Sequence, residues 1–248
     1  MSKEKVAFIT GAGRGIGAAT AKELAGMGIK VAINYLSDHK SADQVVNEIR
    51  SHGGDAIKIQ GDVCSAEQVT LMTNEILDHW GRIDILVSNA NIPFVIKPFL
   101  TISWAEFSQK LNDEIKAAYH LSQAILPIMK ENSYGRIVYI GSAAAKIPEK
   151  NFIAHGTAKA ALVQFTKQIA KEFGEFGITA NVISPGLVET DASREQVKLL
   201  KSEFTALTPL KRIAQPEDVA KAIALYVTER SAFITGSYIP VDGGMYML

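Results

Sequence analysis

Short runs that are apolar at almost every position alternate along this chain with longer stretches of helical periodicity. The apolar runs occupy residues 6–9, 30–34, 56–60, 83–88, 136–141, 179–184 and 237–241. The helical stretches lie around 15–28, 39–52, 65–79, 103–131, 152–175 and 216–229. A strand that is apolar on both faces belongs to a sheet covered on both sides, and strands separated by helices pair in parallel. The pattern therefore predicts an α/β fold. It is a single doubly wound, Rossmann-type domain over residues 1–248, with a seven-stranded parallel sheet and helices on both faces. No internal repeat, low-complexity tract or Pro/Gly/Ser-rich linker divides the chain. In such a sheet, ligands bind at the carboxyl ends of the strands.

One stretch at such an end carries candidate chemistry. Thr10-Gly11-Ala12-Gly13-Arg14-Gly15-Ile16-Gly17 follows the first apolar run and opens the first helical stretch. Gly11 and Gly13 let the chain turn and let backbone approach a phosphate without a clashing Cβ. Gly17 permits close packing of helix on strand. The helix N-terminus that follows offers unpaired N–H groups and a positive dipole end to a pyrophosphate.

Composition narrows the field of partners. The 248 residues are 47% hydrophobic and 21% charged, enough to bury a large core, and 26 basic residues balance 26 acidic ones. A net charge of zero argues against a nucleic acid or an anionic membrane as the main partner. Cys64 is the single cysteine, so no intrachain disulfide framework exists, which suits a reducing compartment. No apolar segment approaches the ~18 residues of a membrane span. The charged N-terminus, Met1 to Lys5, has no signal-peptide pattern and runs straight into the first strand. The expectation is a soluble cytoplasmic protein with no metal site.

The end of the second strand bears on cofactor choice. An acidic residue there would bond a ribose 2′-hydroxyl and favour NAD. Here the sequence reads Ile33-Asn34-Tyr35-Leu36-Ser37, with no carboxylate until Asp38. Arg14 in the glycine loop is placed to meet a 2′-phosphate, with Ser37 or Lys40 assisting, so NADP(H) is expected over NAD(H). An Arg14 that merely faces solvent is the alternative.

The spacing Thr-Gly-x-x-x-Gly-x-Gly resembles the form used by the short-chain dehydrogenase/reductase family, close to the 3-oxoacyl-[acyl-carrier-protein] reductase type. The resemblance extends over essentially the whole chain. Gly61-Asp62-Val63 matches the place where the family's Asp bonds the adenine amino group; helix capping near Ser65 is the plainer role. Ser88-Asn89-Ala90-Asn91 resembles the family's Asn-Asn-Ala-Gly, which lines the cofactor cleft, and Asn91 replaces a glycine with a residue that tolerates left-handed backbone. Pro185-Gly186-Leu187-Val188-Glu189-Thr190 matches the loop that packs near the nicotinamide. Residues 191–211 correspond to a variable segment that covers the substrate in relatives. Arg212-Ile213-Ala214-Gln215-Pro216-Glu217-Asp218 and Val241-Asp242-Gly243-Gly244 complete the match.

Two active-site positions depart. Ser142 stands where the family's serine holds the substrate oxygen, and thirteen residues on the family has Tyr-x-x-x-Lys. This chain reads His155-Gly156-Thr157-Ala158-Lys159, so His155 replaces the tyrosine acid beside Lys159. Counting back seven residues from Leu121-Ser122-Gln123-Ala124 puts Glu114 at the family's Asn position. Asn112 points about 200° away on a helix. Tyr119, Tyr134 and Tyr139 match no family position and are read as structural. A histidine titrates near neutral pH, so His155 is expected to serve as acid/base, with a rate that titrates between pH 5 and 8. Lys159 disfavours its charged form and Glu114 favours it; the net sign is open.

The resemblance implies hydride transfer between the cofactor and a carbonyl, on a small or carrier-bound substrate such as a 3-oxoacyl thioester. Two alternatives stand beside it: a non-redox dehydratase or isomerase using His155 and Glu114, and a catalytically weak subunit paired with an active paralogue. It also implies a homodimer or homotetramer built on the helices around 103–131 and 152–175, where Ala117, Ala118 and Ala161 would allow close approach.

Overall fold

The computed structural model describes residues 4–191 and 193–247. Met1 to Lys3 of the charged N-terminal run, Ala192 within the 191–211 segment, and Leu248 lie outside the described residues. Seven strands form one sheet: β1 (Val6–Ile9), β2 (Lys30–Tyr35), β3 (Ala56–Gln60), β4 (Ile85–Ser88), β5 (Gly135–Ile140), β6 (Ile178–Pro185) and β7 (Tyr238–Val241). Every neighbouring pair is parallel, in the order β3-β2-β1-β4-β5-β6-β7. The chain order reverses between β1 and β4, which opens a crevice at their carboxyl ends.

Helices cover both faces. α1 (Gly15–Gly26), α2 (His39–Ser51) and α7 (Pro216–Tyr226) pack Leu24, Val45, Ile49, Val219 and Ile223 against Ile9, Ile33 and Val138 on one side. α3 (Ala66–Trp80), α4 (Trp104–Glu131) and α5 (Ile153–Phe173) pack Met72, Ile76, Leu121, Ile125 and Leu162 against Phe8, Leu86 and Tyr139 on the other. Caps fix where these helices begin. Asp38 accepts from the Ser41 N–H at α2, and Ser103 and Glu106 form a reciprocal capping box at α4.

Four sequence expectations need correction. First, the fourth strand begins at Ile85, not at residue 83. Asp84 is buried and spends its carboxylate on the Val6 N–H (2.9 Å) and on Arg82 (2.6 and 2.7 Å), a tie that precedes the ladder. Second, the 191–211 segment contains an unforeseen helix, α6 (Arg194–Leu207). Third, Asn91 does not take the left-handed backbone; the turn after β4 closes without it. Fourth, Ala117 and Ala118 are buried in this chain's own core, because α4 turns that stripe onto the sheet. They are not available to a second copy, although Ala161 is half-buried. Among the described residues no helix is long and apolar enough to cross a membrane, and no His/Cys/Asp/Glu group could hold a metal.

Candidate active site

The glycine loop is held by the strands around it. Asn34 Oδ1 accepts from the Gly11 N–H (3.1 Å), and its Nδ2 donates to the Gly61 carbonyl (2.9 Å). Thr10 Oγ1 accepts from the N–H groups of Asn89 (2.9 Å) and Ala90 (3.0 Å), while Asn89 Nδ2 donates to the Thr10 and Gly11 carbonyls. Gly11 has φ +60°, and a Cβ there would lie 2.8 Å from Ala90 Cα. A Cβ on Gly17 would lie 2.6 Å from both Asn89 Nδ2 and the Gly11 carbonyl, so its task is close packing. A Cβ on Gly13 would make ordinary contact with Ala42 and Ser41 of α2, at 3.5 and 3.7 Å, so packing alone does not demand glycine there.

That cleft has a volume of about 480 Å³. Gly11, Gly13, Arg14, Asn34, Tyr35, Ser37, Asp62, Val63 and Ala90 line it, as the sequence led us to expect. Asn34 and Asn89 act as struts, because their amides are spent on backbone. Lys40 does not reach the lining; Asp38 and Ser41 do, and the Asp38 carboxylate is spent on the Ser41 N–H and hydroxyl (3.1 and 2.7 Å). These two bonds hold that carboxyl below its ordinary value, with Arg14 adding to the effect. Asp62 does not cap α3, since Ser65 does; its Oδ1 accepts from the Cys64 N–H (2.8 Å).

Gly15, Ile16, Gly17, Asn89, Pro185, Gly186, Val188 and Thr190 lie outside this lining. Thr190 nevertheless faces the loop: its Cγ2 would be 3.4 Å from a Cβ on Gly15. Val188 is buried and bridges to Ala214, which aligns the 185–190 loop beside the crevice.

A second cluster gathers at the ends of β5 and α5. Gly156 lets α5 abut the turn after Ser142: a Cβ there would lie 2.9 Å from the Ala144 carbonyl. Ser142 Oγ accepts from the Ala144 N–H (3.3 Å), and its carbonyl accepts from the Tyr238 hydroxyl (3.1 Å). Lys159 Nζ donates to the Ile140 carbonyl and to Glu114 Oε1, both at 2.7 Å. Glu114 Oε2 accepts from Lys110 Nζ (2.5 Å), which also donates to the Ile92 carbonyl (2.8 Å). Lys110 is 1% exposed and Glu114 6%. Both carboxylate oxygens are thus engaged by ammonium groups. Burial pushes the Glu114 carboxyl up, but Lys159 and Lys110 outweigh it and hold the group below its usual range. Burial pulls the Lys110 ammonium down, with Glu114 opposing.

His155 faces an apolar wall. Its ring stacks on Phe94 (centroids 4.2 Å, planes 21° apart) and meets Phe152 edge-on (6.1 Å). Nδ1 is buried without a hydrogen-bond partner. Burial, then Lys159 and Lys110, pull its pKa to about 3, with Glu114 opposing. The open sign falls toward the neutral imidazole, so the folded ring is not expected to change charge between pH 5 and 8. Burial of the ring, to which the Phe94 stack contributes, is the first cause. Of the other phenols, Tyr139 is buried on Ser122 (2.6 Å) and Tyr134 lies against Lys5 and Arg136, whereas Tyr119 is exposed.

Sequence reasoning missed Lys110, Phe94, Phe152 and Tyr238. Only Lys110 left a trace, its i,i+4 spacing to Glu114.

Comparison with known proteins agrees with this geometry. A family model described as enoyl-(acyl carrier protein) reductase matches residues 11–246. A 3-oxoacyl-[acyl-carrier-protein] reductase of Synechocystis is 36% identical, over 98% of this chain and 97% of its own. One of Staphylococcus aureus is 32% identical over the full length of both. The crystal structure of an NADPH-dependent reductase involved in bacilysin biosynthesis superposes with a TM-score of 0.93, at 25% identity over 99% of each chain. With the sheet order and the glycine loop in view, the chain belongs to the short-chain dehydrogenase/reductase family of oxidoreductases.

Proposed function

We propose that this chain is an NADP(H)-dependent reductase of carbonyl compounds, of the 3-oxoacyl thioester class, with His155 acting as a neutral hydrogen-bond donor. The supporting observation is the buried, partnerless Nδ1 of a histidine whose pKa is drawn to about 3. A bare acceptor costs less in an apolar wall than a bare N–H, so the proton belongs on Nε2. A neutral imidazole then polarises the substrate oxygen as an electrophile.

The cleft suits an adenine dinucleotide: Gly11, Gly13 and Arg14 line it, Gly11 tolerates no side chain, and α1 begins at the loop. Gly11, Gly13, Arg14, Gly15 and Ile16 would hold its phosphates. Asp62 and Val63 would face the adenine, Arg14 and Ser37 a 2′-phosphate, and Ala90, Lys159, Pro185, Gly186, Val188 and Thr190 the nicotinamide end. Asn34, Tyr35 and Asn89 fix the walls. When bound, the nicotinamide supplies the hydride. Ser142 and His155 orient the substrate oxygen, and the Lys159 ammonium, held by Glu114 and the Ile140 carbonyl, supplies the proton. Glu114 is not free to act as a general base, because two ammonium groups occupy its oxygens. That weighs against a dehydratase or isomerase.

Following NADPH oxidation with a panel of 3-oxoacyl thioesters tests the reading. Turnover of at least one, faster with NADPH than NADH, is expected. NADPH binding without turnover of any carbonyl would overturn it in favour of a weak partner subunit.

A further inference from the structure

We propose that Lys110 is a positioning residue of the active site, clamping Glu114 against Lys159 and tying the Ile92 wall of the cofactor cleft to that pair. The proposal rests on the assignment of Lys159 to proton delivery. Three observations carry it. Lys110 is buried on α4, and its Nζ bridges the Ile92 carbonyl and Glu114 Oε2. Ile92 and Pro93 line the cleft, so the same ammonium touches the cofactor wall and the reacting cluster. The following residue, Phe94, stacks on His155, and Lys110 Nζ lies 5.4 Å from its ring centroid.

Charge balance explains why a lysine stands at a buried position. Glu114 alone would neutralise Lys159 and take both of its own oxygens to that ammonium. With Lys110 present, each oxygen meets a different cation, and the cluster of Lys110, Glu114, Lys159 and neutral His155 carries one net positive charge. That charge is available to a developing oxyanion. Cys64, from the loop after β3, is the remaining titratable group that faces Lys110, and burial raises its thiol to about 11.

The two halves of the ion pair are therefore expected to compensate. Lys110→Met leaves Glu114 with Lys159 only, and Glu114→Gln leaves two buried ammonium groups without a carboxylate. Removing both leaves Lys159 as the single cation.

A double-mutant cycle on the full-length protein tests this, with kcat, KM for the carbonyl substrate, NADPH dissociation constant and melting temperature measured for each variant. Lys110→Met should lower kcat by roughly tenfold to hundredfold with KM little changed, as expected of a displaced proton donor. It should also weaken NADPH binding several-fold through the Ile92 wall. Lys110→Met/Glu114→Gln should regain much of kcat but keep the weakened NADPH binding of Lys110→Met, since the Ile92 carbonyl lacks its ammonium in both. Additive losses in kcat, or a Lys110→Met variant that shifts only the melting temperature, would overturn the positioning role. The NADPH and melting arms hold even if no carbonyl is reduced, so failure of the reductase assignment is read separately. If Glu114→Gln does not fold, recovery of folding in the double variant supports the compensation, and a double variant that also fails to fold contradicts it.

Discussion

A buried histidine that stays neutral must tax the fold at low pH. The unfolded His155 titrates near 6.5, whereas burial and the two lysines bring the folded ring to about 3. The folded value is depressed, so the neutral ring stabilises the fold fully above about pH 6.5. That stability is lost as pH falls from there toward 3. At pH 4.5 the unfolded ring is almost fully charged and the folded ring almost fully neutral. Linkage then gives a loss of about 3 kcal/mol relative to pH 7.5. His155→Phe isolates this contribution, because a phenyl ring keeps the packing on Phe94 and Phe152 and cannot titrate. Urea unfolding of both proteins at pH 7.5, 6.0, 5.0 and 4.5 is the assay. Carboxylate titrations common to both cancel, and the wild type should lose about 3 kcal/mol more than the variant across this range. Parallel stability curves would refute the argument that His155 is buried in its neutral form.

Three further outcomes follow from the same structure. Gly11→Ala forces a Cβ to 2.8 Å from Ala90 Cα at φ +60°, and should cost about 1–3 kcal/mol in chemical denaturation while abolishing NADPH binding in calorimetry. Arg14→Ala should erase most of the preference for NADPH over NADH, measured as the ratio of dissociation constants; an unchanged ratio would remove Arg14 from 2′-phosphate recognition. Restoring the family's residues should succeed only in combination. Glu114→Asn strands the buried Lys110 ammonium and should cost about 3–5 kcal/mol, so His155→Tyr/Glu114→Asn should reduce carbonyls faster only when Lys110→Met is added.

The strands and most helices were legible because each is written locally. Ile9, Ile33 and Val138 lie in runs apolar on both faces, and the Gly11–Gly17 stretch announces a turn into a helix. α6 was not legible: Arg194–Leu207 buries little beyond Val197, so its apolar stripe is too thin to stand out. The identities of His155, Glu114 and Lys159 could be counted from neighbouring motifs. Their states could not. Lys110 reads as one more surface lysine on a polar helix, since a lysine is almost never fully buried unless paired. The ionisation of His155 depends on Phe94, which follows a different strand, and on that hidden lysine. Asp62 and Asn34 line the cleft, but only the fold shows that backbone claims the Asn34 amide on both sides.

The most direct test of a neutral donor at position 155 is the pH–rate profile of carbonyl reduction, wild type against His155→Ala, at saturating NADPH. The account predicts a wild-type rate that stays level from about pH 5.5 to 8, where an ordinary histidine would change charge. It also predicts a loss of roughly 10²-fold in the variant, with NADPH affinity retained. A wild-type profile with a break near pH 6.5, or a rate indifferent to His155→Ala, would contradict it.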